Sequence, residues 1–342
     1  MKKPSLVDVS VLILFFNRPE PLSQVFAQVR KARPARLFLY QDGPRTEQDL
    51  EGIMACREVV NDIDWECEVS TYYQEKNQGC DPSEYISQKW AFAHTDKCIV
   101  LEDDDVPAVS FFAFCKELLD RYENDDRIWM IQGFNPEEKT PDVSTDYFFT
   151  THFSIWGWAS WRRVVDTWDE HYTWLDEAGG ETARCMAQTV RDRCYRKDFM
   201  EMCRTHQQSG KAYYESIFWA SLLLNGGLCI APTRNMVNNL GALPGSTHFG
   251  ASADLLPRGY RRIFTMKRYE IPQLPLRHPR HIMENTAYRD RVYRIMGWNH
   301  PFIKVGRSLE ELWLNLSRGH FDNIKRAVIN RIKKTLGHGR HV

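Results

Sequence analysis

None of the nine cysteines in this chain forms a CxxC pair, and none lies beside a histidine cluster. Such scattering excludes both a zinc site and a disulfide framework, and fits a reducing compartment. An excess of charge is missing too, since 45 Lys and Arg balance 45 Asp and Glu. No global field therefore draws the chain to nucleic acid, and any such attraction is local. Long apolar runs are also absent. The first one, Val9–Phe16, is broken by Ser10 and stopped by Asn17-Arg18-Pro19, which is too short for a membrane span or a usual signal peptide. Internal repeats and low-complexity tracts do not occur, which excludes a repeat architecture.

What is present is a concentration of acid. Glu102-Asp103-Asp104-Asp105 follows the apolar run Cys98–Leu101, at the end of what reads as a buried strand. Like charges so close repel unless something positive sits among them, and a hard divalent cation such as Mg²⁺ or Mn²⁺ suits carboxylate oxygen. The competing reading is helix capping, because Ala108–Tyr122 looks helical and acids in a first turn meet the helix dipole favourably. Capping needs one or two carboxylates rather than four, which favours the metal.

The 342 residues exceed one average domain, yet large α/β enzymes run this long as one unit with a tail. Strand-like runs at Val9–Phe16, Ala35–Tyr40, Glu68–Tyr73 and Cys98–Leu101 alternate with helix-like stretches at Pro21–Lys31, Thr46–Val60, Pro82–His94 and Ala108–Tyr122. Alternation of this kind predicts an α/β fold with a mostly parallel sheet flanked by helices. In such sheets a ligand lies beyond the carboxyl ends of the strands. Asn17-Arg18-Pro19, Gln41-Asp42-Gly43-Pro44, Lys76-Asn77-Gln78-Gly79 and the acidic cluster all fall there. Each of the first three is an ordinary turn former when taken alone. Together they point to a nucleotide pocket, with Arg18 available for a pyrophosphate and Asp42 for a base or ribose.

The ordered set Phe16-Asn17-Arg18-Pro19, Tyr40-Gln41-Asp42-Gly43, Glu102-Asp103-Asp104 with Phe111-Phe112, Trp156-Gly157-Trp158-Ala159, Leu224-Asn225-Gly226-Gly227-Leu228, Asn239-Leu240-Gly241 and Thr247-His248 resembles a known family. It is similar to glycosyltransferases of the GT-A fold, most of all the N-acetylglucosaminyltransferase I group and its bacterial relatives. The resemblance covers roughly residues 8 to 250. It implies a Rossmann-like GT-A domain over 1–250, with a nucleotide-sugar half to about 125 and an acceptor half from about 126, and a C-terminal extension over 251–342. By the same resemblance Asp104 is the direct ligand of Mn²⁺ or Mg²⁺, and Glu102 and Asp103 face the ribose or donor sugar. Asp42 would read the base, and Asn17 and Arg18 would lie beside the nucleotide phosphates. Asp105 is an addition to the three-carboxylate pattern.

An inverting transfer also needs a base for the acceptor hydroxyl, well separated from the metal cluster. Glu215, shortly before Trp219, is the choice, with Asp198 and Asp192 as substitutes; the competing reading is a Glu that opens the helix Ser216–Leu224. In Trp156-Gly157-Trp158 a glycine between indoles would let the backbone approach a ligand while the rings wall a sugar pocket. Trp161, Trp168 and Trp174 read as core. His248 is a candidate for completing the metal shell.

Past residue 250 the Pro-rich stretch Ile271–Pro279 reads as an extended connector. Phe321, Ile324, Val328, Ile332 and Leu336 then recur at helical spacing among Lys325, Arg326, Arg331, Lys333 and Lys334. Such a basic amphipathic helix can rest on an anionic membrane face or pack on the enzyme. The leading reading is a cytoplasmic, metal-dependent, inverting transferase with a UDP-linked donor and a glycan or lipid-linked sugar acceptor in cell-surface polysaccharide synthesis, with peripheral contact to the inner membrane face. A nucleotidyltransferase would more naturally carry a Gly-rich basic loop after the first strand. An inactive carbohydrate-binding module would need neither Asp104 nor Glu215. A glycosidase would place paired carboxylates across the sugar rather than on one strand end.

Overall fold

The computed structural model describes residues 2–190, 192–241, 255–298 and 300–337, the last segment as far as residue 329 in its side chains. Thr247 and His248 lie outside these residues. The first half alternates as expected: β1 (Val7–Phe15), α1 (Pro19–Ala32), β2 (Pro34–Gln41), α2 (Leu50–Asn61), β3 (Glu68–Tyr73), α3 (Cys80–His94) and β4 (Lys97–Glu102). Short β5 (Asp105–Pro107) leads into α4 (Val109–Arg121). Helix α1 starts a little before the expected Pro21 because Pro19 occupies its first turn, where a missing N–H costs nothing. The expected helix from Thr46 is split by a 3₁₀ turn, Glu47–Asp49, whose Asp49 binds back to the Thr46 N–H.

Strands β6 (Ile128–Gln132), β7 (Tyr147–Thr150), β8 (Trp158–Trp161), β9 (Leu228–Pro232) and β10 (Val237–Asn239) follow. Helices α5 (Arg162–Val165), α6 (Glu181–Thr189), α7 (Arg193–Ser209) and α8 (Tyr214–Leu224) lie between β8 and β9. The main sheet has eight strands in the order β3-β2-β1-β4-β8-β6-β9-β7, and β5 pairs with β10 in a small second sheet. β1 runs parallel to β2 and β4, β2 to β3, and β6 to β9, while β8 is antiparallel to both its neighbours. This is an α/β fold with a large, mostly parallel sheet flanked by helices.

The two faces are covered by different helices. Trp158 stacks on Phe92 of α3 and on Tyr214 of α8. Three residues on, Trp161 faces the other way and donates its indole N–H to the Leu119 carbonyl of α4. Trp161, Trp168 and Trp174 are buried, as their sequence context implies.

The stretch read as a connector instead laces onto the sheet domain. Glu270 accepts from the Val109 and Ser110 N–H groups at 3.0 and 2.7 Å, and so caps α4. Arg277 pairs with Asp146, and Glu284 accepts from the Thr151 N–H. Helices α9 (Arg258–Thr265) and α10 (Thr286–Met296) follow suit, with Tyr288 of α10 packed on Phe148. After them come α11 (Pro301–Ser317) and α12 (Phe321–Gly337).

Gly157 shows how tightly the layers meet. Its φ is +61°, and a Cβ there would lie 2.8 Å from a Val237 methyl. The glycine therefore serves a close approach of protein to protein, where the sequence suggested protein to ligand. Gly157→Ala should lower the free energy of unfolding by roughly 2 kcal/mol or more, from left-handed strain plus overpacking. Urea denaturation measures it, and an unchanged midpoint would remove the constraint.

Candidate active site

In the sheet order β1 stands between β2 and β4, so the connections leave it in opposite directions and open a crevice at its carboxyl end. The loop after β1 carries Asn17 and Arg18, and the turn after β4 carries Asp103 and Asp104. These meet. The Arg18 guanidinium pairs with Asp103 through two nitrogens and with Asp104 Oδ2 at 2.9 Å. The positive charge that the acidic run requires is here supplied by Arg18 itself. Burial works against the guanidinium, but the two aspartates outweigh it and hold its pKa above the usual range. Burial pushes the Asp103 carboxyl up to about 6 despite Arg18.

Each neighbour of the pair has its own partner. Asp104 Oδ1 accepts from Asn239 Nδ2 at 2.9 Å, and the same amide donates to Asp105 Oδ1 at 3.0 Å. Asp105 Oδ2 accepts the Gly157 N–H at 2.8 Å. Asp105, the first residue of β5, thus joins β10 and the loop before β8, which gives the fourth carboxylate of the run a structural role. Asn17 donates to Asp49 at 2.7 Å and fastens the loop after β1 to the start of α2. None of these acids caps α4, because β5 intervenes and Glu270 takes that place.

Asp42 is placed differently from the base-reading role expected of it. Its Oδ1 accepts from the Gly43 and Gln78 N–H groups, and its Oδ2 from Asn77 Nδ2 and the Gly79 N–H, at 2.7 to 3.1 Å. A carboxylate has about four acceptor positions, so four donors occupy it fully. Asp42 latches the loop after β2 to the loop before α3. Trp158 is likewise in the core rather than at a surface, fully buried against Phe92, Tyr214 and Phe218. Trp156 is half-buried, with its ring 4.6 Å from Phe134 and 5.2 Å from Phe264.

On the α3 and α8 side a second group of acids gathers. Asp81 and Glu84, in the first turns of α3, and Glu215, in the first turn of α8, each bring a carboxylate oxygen within 4.8 Å of the others. Glu84 is 3% exposed, and its Oε2 has no partner among the described residues. Burial first, then the Glu215 charge, raises the Glu84 carboxyl well above its ordinary range. Glu102 is raised likewise by burial and by Glu84, Asp105 and Asp104; the Tyr214 hydroxyl donates to it at 3.4 Å. Glu215 is pushed up to about 7, mainly by burial. Asp192 instead caps α7 by accepting from the Tyr195 N–H, and Asp198 is exposed on the same helix.

Sequence reasoning missed Asp81 and Glu84. The available signal was their i, i+3 spacing at the start of a helix that begins at the functional edge of the sheet. Asn239 stood inside a quoted motif, but its bridge across 135 residues to Asp104 has no local signature.

No protein-family model matches the chain. No curated protein matches it either. Among solved structures it is similar to the glycosyltransferase GlyE of Streptococcus pneumoniae TIGR4, with 10% identity and a TM-score of 0.30. That likeness covers 64% of this chain and 44% of the other, so this chain spans less than half of its neighbour's length. The α/β architecture rests on the strand order and register given above.

The cluster makes a prediction about stability. A carboxyl raised to about 7 from 4.5 stabilises the fold below its unfolded pKa, and this contribution is lost as pH rises through about 7. Glu215→Gln fixes the neutral form. It should raise the unfolding temperature by on the order of a few degrees at about pH 8.5 and change little near pH 5. Thermal scans at both pH values test this; a pH-independent effect would show that Glu215 carries no strained charge.

Proposed function

We propose that this chain is a metal-dependent, inverting glycosyltransferase that moves a sugar from a nucleotide-linked donor to a glycan or lipid-linked acceptor. The observation that carries the reading is the meeting of Arg18, Asp103 and Asp104 at the crevice between β1 and β4, with Glu215 approaching from α8. A UDP-linked donor, a GT-A type of site and a role in cell-surface polysaccharide synthesis follow from the motif resemblance to the N-acetylglucosaminyltransferase I group.

The residues present fit a hard cation. The donors are all carboxylate oxygens: Asp104 accepts one hydrogen bond at each oxygen, and Asp81, Glu84 and Glu215 bring oxygens within 4.8 Å of one another. Asp104 would hold Mn²⁺ or Mg²⁺ with Glu102 beside it. When bound, such an ion neutralises the charge that builds on a departing diphosphate. The remaining work falls to the chain itself. Arg18 can exchange its aspartate partners for phosphate oxygens, keeping its charge because its pKa lies above the usual range. Glu215 takes the proton of the acceptor hydroxyl, a step worth on the order of 10²–10⁴ in rate. A base near pKa 7 is half-ionised at neutral pH, where proton transfer in both directions stays favourable.

A sugar-binding protein without catalysis fits less well. At the crevice it would use an open tryptophan surface, whereas Trp158 is in the core and half-buried Trp156 packs against Phe134 and Phe264.

Calorimetric titration with UDP, GDP and CMP, each with and without Mn²⁺, tests the donor reading. Selective, Mn²⁺-dependent binding of one nucleotide is expected, and Asp104→Ala should abolish it with the fold intact; unchanged affinity would remove Asp104 from the metal site. Glu215→Gln should keep nucleotide binding and lose transfer by about 10²-fold or more. The wild-type rate should rise with pH through about 7 as the base ionises. A fully active Glu215→Gln enzyme would require a different base.

A further inference from the structure

The last two described helices carry an unusual surface. Phe302, Val305, Leu309, Leu312, Trp313 and Leu316 of α11 are all exposed, Phe302 by 91%, Trp313 by 65% and Leu309 by 62%. Steps of three and four residues along α11 put all six on one stripe about 100° wide. The opposite side of α11 is the one that holds the protein. Arg307 donates to the Ile295 carbonyl and lies over the Tyr260 ring, Glu310 accepts from the Arg258 N–H, and Leu314 is buried. The helix is therefore fastened by one face, while the apolar stripe on the other stays exposed.

Helix α12 extends this surface. Phe321, Val328 and Ile329 are exposed on it. A groove lined by Val305, Leu309, Leu312, Ile324 and Val328 runs between the two helices. The sequence reading placed the apolar stripe on α12 alone; most of the exposed apolar side chains belong to α11. Of that reading, Arg331, Ile332, Lys333, Lys334 and Leu336 lie beyond the described side chains.

Charge decides what covers the surface. Residues 301–337 hold eight Lys or Arg against three Asp or Glu, in a chain whose formal charge is zero. A second copy of the same hairpin would bring like charges together, whereas an anionic bilayer complements them. No helix among the described residues is long and apolar enough to cross a membrane. We infer that α11 and α12 form a docking surface that lies in the interface of an anionic lipid bilayer, with Trp313, Leu309 and Phe302 inserted among the headgroups and acyl chains. Aromatic and aliphatic insertion supplies the affinity, and the basic residues supply selectivity for negative lipid. This inference stands apart from the transfer reaction, because it uses none of the residues of the crevice.

The full chain should float with vesicles of phosphatidylcholine carrying about 30% phosphatidylglycerol, and bind pure phosphatidylcholine vesicles about tenfold more weakly. Leu309→Glu with Trp313→Glu should reduce binding to the anionic vesicles by about tenfold or more. Lys325→Glu with Arg326→Glu should remove most of the preference for anionic lipid. Circular dichroism and Mn²⁺-dependent UDP titration of the same variants report the fold and the crevice separately. Wild-type protein that stays with the lipid-free fraction would overturn the inference. So would sedimentation showing a dimer that Leu309→Glu with Trp313→Glu dissolves, because the occupant would then be a second copy.

Discussion

Buried negative charge at the carboxyl end of β4 is the constraint around which this site is organised. A carboxylate taken out of water must find a proton, a cation or several hydrogen-bond donors, and the strand end holds four in succession. The chain uses all three remedies side by side. Asp103 and Asp104 share the Arg18 guanidinium, Asp105 is bound by an amide and a backbone N–H, and Glu102 is pushed toward its protonated form. An ion pair of this sort is exchangeable: phosphate oxygens can satisfy Arg18 and a metal ion can satisfy Asp104. The proposed binding of a nucleotide and its cation relies on that exchange.

The positioning depends on residues with no chemistry of their own. Asn239 places one amide between Asp104 and Asp105, and Gly157 admits the Val237 side chain where a Cβ would collide. Gly43 is equally constrained, since a Cβ there would lie 2.4 Å from the Lys76 backbone, next to the four-donor latch on Asp42. Glycine at these places lets neighbouring segments approach closely, and asparagine supplies donors to two carboxylates at once. Asp42, which looked like a ligand contact, belongs to this framework.

Much of the fold was legible because hydrophobic period and turn chemistry are local. β3 and its neighbours fall where the alternation puts them, and the acidic run lies at a strand end as read. What could not be read was pairing between distant segments. Glu270 caps α4 from 160 residues away, and so the acids that seemed available for capping were not needed there. Arg18 reaches Asp103 across 85 residues, so a cation that the sequence assigned to an external metal is met first by the chain itself. The stretch Ile271–Pro279 gave only proline as a signal, and proline marks extended backbone without saying what that backbone lies against.

Among the acids at the end of β4, Asp42, Glu84 and Glu215, partners and burial narrow the choice of base for the proposed transfer. Asp103 and Asp104 are held by Arg18, Asp105 by Gly157 and Asn239, and Asp42 by four donors. Glu84 is closed off from solvent, and burial with the Glu215 charge raises it well above its ordinary range, which disfavours it as a base. Glu102 has the same electrostatic disability and also faces the cluster at the end of β4. Glu215 differs on both counts. It is only partly buried, and it titrates near 7. Burial is the main reason for that position, and the charge of neighbouring Asp81 adds to it, so a partly desolvated carboxylate beside another acid is moved into the range where a base is useful.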